Sequence, residues 1–279
     1  MWRYDFHLFY LAGQAVLHGV SPYAIPDFNA PYLLALLFVP LTLLPESMAY
    51  ALFVGVQLLL LWRQRGRRAL WALLAFPVWF DLFVGQVDLL LALVSAAIGP
   101  WALPLLLAKP QVGFVIAPWL LWESRNKPRL LLKIALLSAG FLAFSFFIRP
   151  TWLREWLAAV PTLTEYSCRD SNIYWLVPLP YKEAALGVGM ILALLLFLSP
   201  WVKNRRTSWT LQHIFAPLTN IYSSAVLFEW IGPLEAGLSW AAILWAGGIH
   251  GGAPMFIMAV AILLQGEHPA ASVTAPTAE

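Results

Sequence analysis

Most of the cations in this chain stand in three short clusters, each following a long apolar run: "RQRGRR" at 63–68, "ESRNKPRLLLK" at 123–133 and "KNRR" at 203–206. Only 11% of the residues are charged and 61% are hydrophobic, where a soluble domain has roughly a quarter of its residues charged. The pattern is that of an integral membrane protein whose basic loops remain in the cytoplasm. A spanning helix takes about 20 apolar residues, so the chain has room for roughly eight to eleven passes and for no sizeable soluble domain beside them. The expected fold class is therefore all-α: a polytopic transmembrane helix bundle forming one domain over 1–265, with a polar, disordered tail at 266–279.

Fixing the basic clusters inside sets a path. The run at 46–62, "ESMAYALFVGVQLLLLW", must go inward, which leaves 1–45 as an extracytoplasmic, juxtamembrane segment. Within it, "PYLLALLFVPLTLLP" at 31–45 is bounded by prolines and short for a full pass. It reads as an interfacial or re-entrant helix. "ALWALLAFPVWFDLF" then climbs outward to a "VGQVD" turn, "LLLALVSAAI" returns to a tight turn at Gly99 and Pro100, and "WALPLLLAKP" rises before "QVGFVIAPWLLW" falls. The run at 130–148 leads to an outer loop at 149–183, 184–201 descends, and four shorter apolar runs follow, at 209–220, 222–231, 238–249 and 254–264.

On this path Asp5, His7, His18, Asp27, Asp81, Gln86, Asp88, Lys109, Arg149, Arg169 and Asp170 gather at one depth, the outer face. Ionisable groups at a membrane are costly to place, so their convergence marks an outward-opening cavity as the functional site. Plainer readings exist for each. Asp5 could pair with Arg3 or favour the first turn of a helix, Lys109 could snorkel, and Asp81 and Asp88 could cap helices. The histidines lack the i, i+4 spacing of a helical metal site, and no metal or other cofactor is expected. The single cysteine, Cys168, excludes an intramolecular disulfide. The basic residues do not form the continuous face that a nucleic acid would need.

No phosphate loop, nucleophile elbow or H-E-x-x-H is present. One carboxylate with one or two cations suits group transfer from a phosphate-activated lipid. The carboxylate takes the proton from an attacking hydroxyl and the cations hold the leaving phosphate. The same polar cavity could instead serve a transporter or flippase of a lipid-linked intermediate.

"DFHLFYLAGQAVLHGVSPY", "PYLLALLFVPLTLLP", "GQVDLLLALV" and "LLLAKPQVGFVIAPWLLW", in that order over about the first 120 residues, resemble glycosyltransferase family 87. These are polytopic GT-C-type enzymes that include polyprenyl-phosphate-mannose-dependent α-mannosyltransferases. The matching positions are Asp5, Gly19 with Pro22 and Tyr23, Pro31 with Tyr32, Gly85 with Gln86, and Lys109 with Pro110. The resemblance implies a membrane hexosyltransferase, inverting, with an outward-facing site in a bacterial or archaeal plasma membrane. Its partners would be a polyprenyl-phosphate sugar donor, a glycolipid or envelope glycan acceptor, and membrane lipids. It implies Asp5 as catalytic base and Lys109, Gln86, Asp88, Tyr23, Tyr32, Arg149, Asn220 and Tyr222 as substrate-binding residues. The chain departs from the family pattern in three places. Relatives carry a helix before the aspartate, so an N-terminally truncated or inactive relative is one expectation. Asp88 stands where an asparagine is usual, and Asn220 and Tyr222 stand where relatives often place histidine or Tyr-Asp.

Overall fold

The computed structural model describes residues 2–159, 182–198, 204–216, 221–246 and 253–265. Every described element is helical: α1 (Tyr4–Leu17), α2 (Tyr32–Phe38), α3 (Glu46–Arg65), α4 (Ala69–Leu74), α5 (Phe76–Val84), α6 (Asp88–Ile98), α7 (Leu103–Leu106), α8 (Pro110–Ser124), α9 (Pro128–Ile148), α10 (Trp152–Ala159), α11 (Lys182–Leu198), α12 (Arg205–Phe215), α13 (Pro233–Ala246) and α14 (Ala253–Leu264). A 3-10 helix of ten residues, Ile221–Trp230, lies between α12 and α13. Such helices seldom exceed a turn or so. Packing holds this one, for it is buried along most of its length between α5, α6, α12 and α14.

Among the described residues two helical runs, Asp88–Leu106 and Pro128–Ile148, are long and apolar enough to cross a membrane, and Tyr32–Leu43 with Glu46–Leu74 make a third if taken together. That pair is bent by 115°. Pro45 stands at the corner with extended backbone (ψ 140°), and a proline at this position cannot continue the preceding helix. The segment 31–45 thus folds as a short helix and a 3-10 turn set sharply off α3. α9 buries only Ile134 and Ser145 and turns apolar side chains outward on its other faces, with Phe147 84% exposed.

Three segments differ in detail from the sequence expectation. The rising run at 69–83 divides at Ala75, whose backbone is extended, and the freed N–H of Phe76 donates to Ser239 Oγ at 2.9 Å. The hydrogen bond arrives from 163 residues away, so no local signal announces the break. The stretch expected as an outer loop begins with α10, which presents Trp152 inward, while 160–181 lie outside the described residues. Of the last four apolar runs, the first begins earlier than expected, at Arg205, and its helix ends at Phe215.

Two basic clusters meet at one place. Arg65, from the end of α3, donates to the main-chain oxygens of Glu229 and Ile231, and Arg205, from the start of α12, pairs with the Glu229 carboxylate at 2.5 Å. The 3-10 helix is thereby anchored at its Trp230 end. Its other end carries Tyr222 into the site described next.

Candidate active site

Four separate stretches of chain build the site. α5 ends at Gly85, whose left-handed backbone (φ +78°) closes the turn, and the N–H groups of Gly85 and Gln86 both donate to the Asp81 carbonyl at 2.9 Å. Glycine adopts this conformation without the Cβ clash that other residues meet. The bare Gly85 also lets α1 pack directly on the turn: a β-carbon there would overlap Phe6 Cβ and stand 3.2 Å from both the Phe6 nitrogen and Tyr50 Cε2. The Arg3 N–H donates to Phe83 O at 2.8 Å, and Tyr50 Oη donates to Leu82 O at 2.8 Å. The start of α1 is thus clamped against the end of α5, and Asp5 is carried beside Gln86.

Lys109 arrives from α8. It is the residue before Pro110, which forces an extended backbone on it (φ −143°, ψ 87°) and starts the helix one residue later. The side chain is 9% exposed. Its ammonium donates to Gln86 Oε1 at 2.5 Å, is ion-paired with Asp88, and lies 5.0 Å from the centroid of the Tyr222 ring. Tyr222 is itself stacked on Phe80. The far side of Gln86 serves Asp5, whose carboxylate accepts a hydrogen bond from it.

Asp81 and Asp88 are both fully buried. Asp81 Oδ2 accepts from the Leu89 N–H at 3.3 Å, so this carboxylate caps the start of α6 from a position eight residues away. Asp81 Oδ1 and Asp88 Oδ2 have no hydrogen-bond partner among the described residues. Three carboxylates therefore share one ammonium. Burial pushes the Asp5 carboxyl up to about 6, with nearby Asp88 adding to the effect, while the Gln86 hydrogen bond and the Lys109 charge act against it. Asp5 is half-buried, unlike the other two acids, and is the one with an open side. Arg3 pairs with Glu46, not with Asp5.

Of the residues expected at the site, Asp5, Gln86, Asp88, Lys109 and Tyr222 come together here. Tyr23, Tyr32 and Arg149 gather instead around Glu155, which the sequence reading missed. The Arg149 guanidinium meets both Glu155 oxygens at 2.9–3.1 Å, and Ser21 Oγ and Thr151 Oγ1 each donate to it at 2.5 Å. Tyr32 stacks on Trp152, and Trp156 Nε1 donates to Asn29 O at 2.9 Å. Partial burial pushes the Glu155 carboxyl up, but the hydrogen bonds from Ser21, Thr151 and Arg149, with the guanidinium charge, outweigh it and hold the group below its usual range. This second group fastens α10 to the segment between α1 and α2. Asn220, Arg169, Asp170, Cys168 and His250 lie outside the described residues.

His7 Nδ1 is 3.1 Å from Glu46 and His18 Nδ1 is 2.8 Å from Gln14 O. No group of three or more His, Cys, Asp or Glu able to hold a metal ion occurs among the described residues. Next to the site, α7 separates two apolar cavities. One of about 460 Å³ is bordered by Pro104, Leu105 and Ala108 together with α1, α2 and α9. The other, of about 510 Å³, is bordered by Leu103, Leu106, Leu107 and Pro110 with α8, α9, α11 and Gln212.

No family model matches the chain, and no curated protein or solved structure matches it.

Proposed function

We propose that the chain is a polytopic membrane glycosyltransferase that moves a hexose from a polyprenyl-phosphate donor to a glycolipid or envelope glycan at the extracytoplasmic face. The observation that carries this reading is the meeting of Asp5, with an open side and a carboxyl titrating at about 6, and the buried Lys109 ammonium on the two ends of one glutamine, Gln86. Asp5 is the base: it accepts the proton of the acceptor hydroxyl as that oxygen attacks the anomeric carbon. The bond from that carbon to the donor phosphate breaks, its electron pair leaves with the phosphate, and Lys109 stabilises the charge that develops there. Attack opposite the leaving group inverts the anomeric centre. The resemblance to glycosyltransferase family 87 favours mannose as the sugar.

The membrane setting is supported by the two long apolar runs, by the outward apolar faces of α9, and by the gathering of Arg65 and Arg205 around Glu229 at the opposite end of the 3-10 helix from Tyr222. Basic residues collect on the cytoplasmic side, which turns the Asp5 end outward. The test is transfer of labelled mannose from polyprenyl-phosphate-mannose to lipid acceptors in membranes holding the parent chain or Asp5→Asn. Incorporation by the parent that is lost in the variant supports the reading, and equal incorporation by both removes Asp5 from the mechanism.

A second reading, a flippase for a lipid-linked intermediate, draws on α12. Ser208, Thr210, Gln212 and His213 of that helix are all buried, so polar groups continue from the site region into the bundle. Protein-dependent movement of a labelled lipid-linked sugar across reconstituted vesicles, with no transfer activity, would favour it.

A further inference from the structure

Two basic clusters far apart in sequence meet at the Trp230 end of the 3-10 helix, away from Tyr222. Arg63 and Arg65 stand in the last turn of α3, Arg67 and Arg68 in the 3-10 turn that follows it, and Arg205 at the start of α12. Arg65 and Arg205 close on one residue, Glu229, but only Arg205 pairs with its carboxylate, for Arg65 takes main-chain oxygens. The next acid along, Glu235, is turned to the Gly232 N–H. Arg63, Arg67 and Arg68 are exposed and form no salt bridge among the described residues. Arg68 also repels Arg65. Gathering like charge is costly at the edge of a low-dielectric membrane, and a second anion beside Glu229 offsets that cost. The positive-inside rule accounts for the side on which basic residues lie and makes no demand that two clusters meet.

The surroundings decide what kind of anion fits. Leu59 and Trp62 before these arginines and Leu70 and Trp71 after them are all exposed, and tryptophan rings settle at headgroup depth. Guanidinium groups bordered by apolar side chains match an amphiphile: the planar forks take phosphate oxygens, and the leucines and rings lie along its chains. A free phosphate ion would use the arginines and leave the apolar border untouched. We propose that Arg67 and Arg68 hold the headgroup of an anionic phospholipid of the cytoplasmic leaflet. This rests on the membrane orientation given above and not on the transfer reaction. Arg65 and Arg205 stay committed to Glu229 and Ile231. The lipid phosphate supplies the counter-charge that Arg68 lacks, so its binding favours the folded arrangement of α3, α12 and the 3-10 helix.

The test is thermal unfolding of the full chain in a neutral detergent while phosphatidylglycerol is titrated in, with lipid adducts counted by native mass spectrometry. Phosphatidylglycerol should raise the melting temperature to a plateau, phosphatidylcholine should not, and added salt should weaken the effect. In Arg67→Gln/Arg68→Gln the affinity for phosphatidylglycerol should fall at least ~tenfold. Lys127→Gln/Arg129→Gln, which removes the same charge from the exposed second basic cluster, should respond as the parent does. Equal loss in both double variants shows attraction by net charge alone and overturns the proposal. So does a shift by inorganic phosphate that matches the lipid's, which makes the site one for a free anion. Partition of the chain into vesicles with no preference for phosphatidylglycerol overturns this proposal and leaves the membrane reading standing. A chain that does not enter vesicles at all overturns both.

Discussion

Gly85 and Phe6 approach so closely that a β-carbon on Gly85 would overlap the Phe6 β-carbon. Through this contact the helix that carries Asp5 and the turn that carries Gln86 become one unit. Gly85→Ala faces both the overlap and a left-handed backbone, φ +78°, and the backbone term alone costs about 1–3 kcal/mol. The variant should melt well below the parent and lose transfer activity out of proportion to the amount of folded protein, as measured by thermal unfolding alongside the labelled-mannose assay.

Asp5→Asn keeps the shape of the side chain and removes the base. The rate of transfer should fall by at least ~10²-fold, with membrane insertion close to the parent's and a melting temperature at neutral pH at or above it, since the variant has no raised carboxyl to ionise. A rate within a few-fold of the parent would show that another group takes the proton.

The pH profile should carry the mark of the same carboxyl. Its value in the folded protein, about 6, lies above the ordinary 3.8, so the active, ionised form accumulates as pH rises and the rate should climb through about pH 6 to a plateau. Stability runs the other way. A raised carboxyl favours the folded state while protonated, so its contribution is complete below pH 3.8 and is lost as pH rises through about 6. Asp5→Asn should lose that part of the slope when unfolding is followed between those limits.

Lys109→Met strands Asp88 in the interior, and breaking a buried ion pair on one side costs about 3–5 kcal/mol. Adding Asp88→Leu should return most of the lost stability without returning activity. Measuring unfolding and transfer on the single and double variants separates what Lys109 does for the fold from what it does for the reaction. A double variant with restored activity would remove Lys109 from the site.

The helices were readable in the sequence wherever apolar runs ended in prolines, glycines or basic clusters, and the Asp5, Gln86, Asp88 and Lys109 grouping was readable because charge inside apolar sequence is costly and needs a partner. Glu155 escaped for the opposite reason. In "TWLREWL" it looks like an ordinary solvated acid, and its partner Ser21 lies 134 residues away. Asp81 was half legible: a helix cap was one of its expected roles, but capping α6 through Leu89 while facing Asp88 and Lys109 depends on how the Gly85 turn folds back. The family resemblance groups Tyr23 and Tyr32 with the site, and the membrane path adds Arg149 at the outer face, whereas three-dimensional packing gathers all three around Glu155 of α10.

The ten-residue 3-10 helix has a consequence for how the chain can change over generations. With about three residues per turn its side chains stand in straight columns, not in a slanted stripe, so the seven-residue step from Tyr222 to Glu229 sets the angle, about 120°, between the side that meets Lys109 and the side that meets Arg205. Inserting or deleting a single residue between them would rotate one end against the other by about 120°, parting either the tyrosine from the ammonium or the acid from its arginine. A substitution along Ile221–Trp230 acts on the neighbours of one side chain, whereas any change in its length has to be answered at both ends of the helix at once.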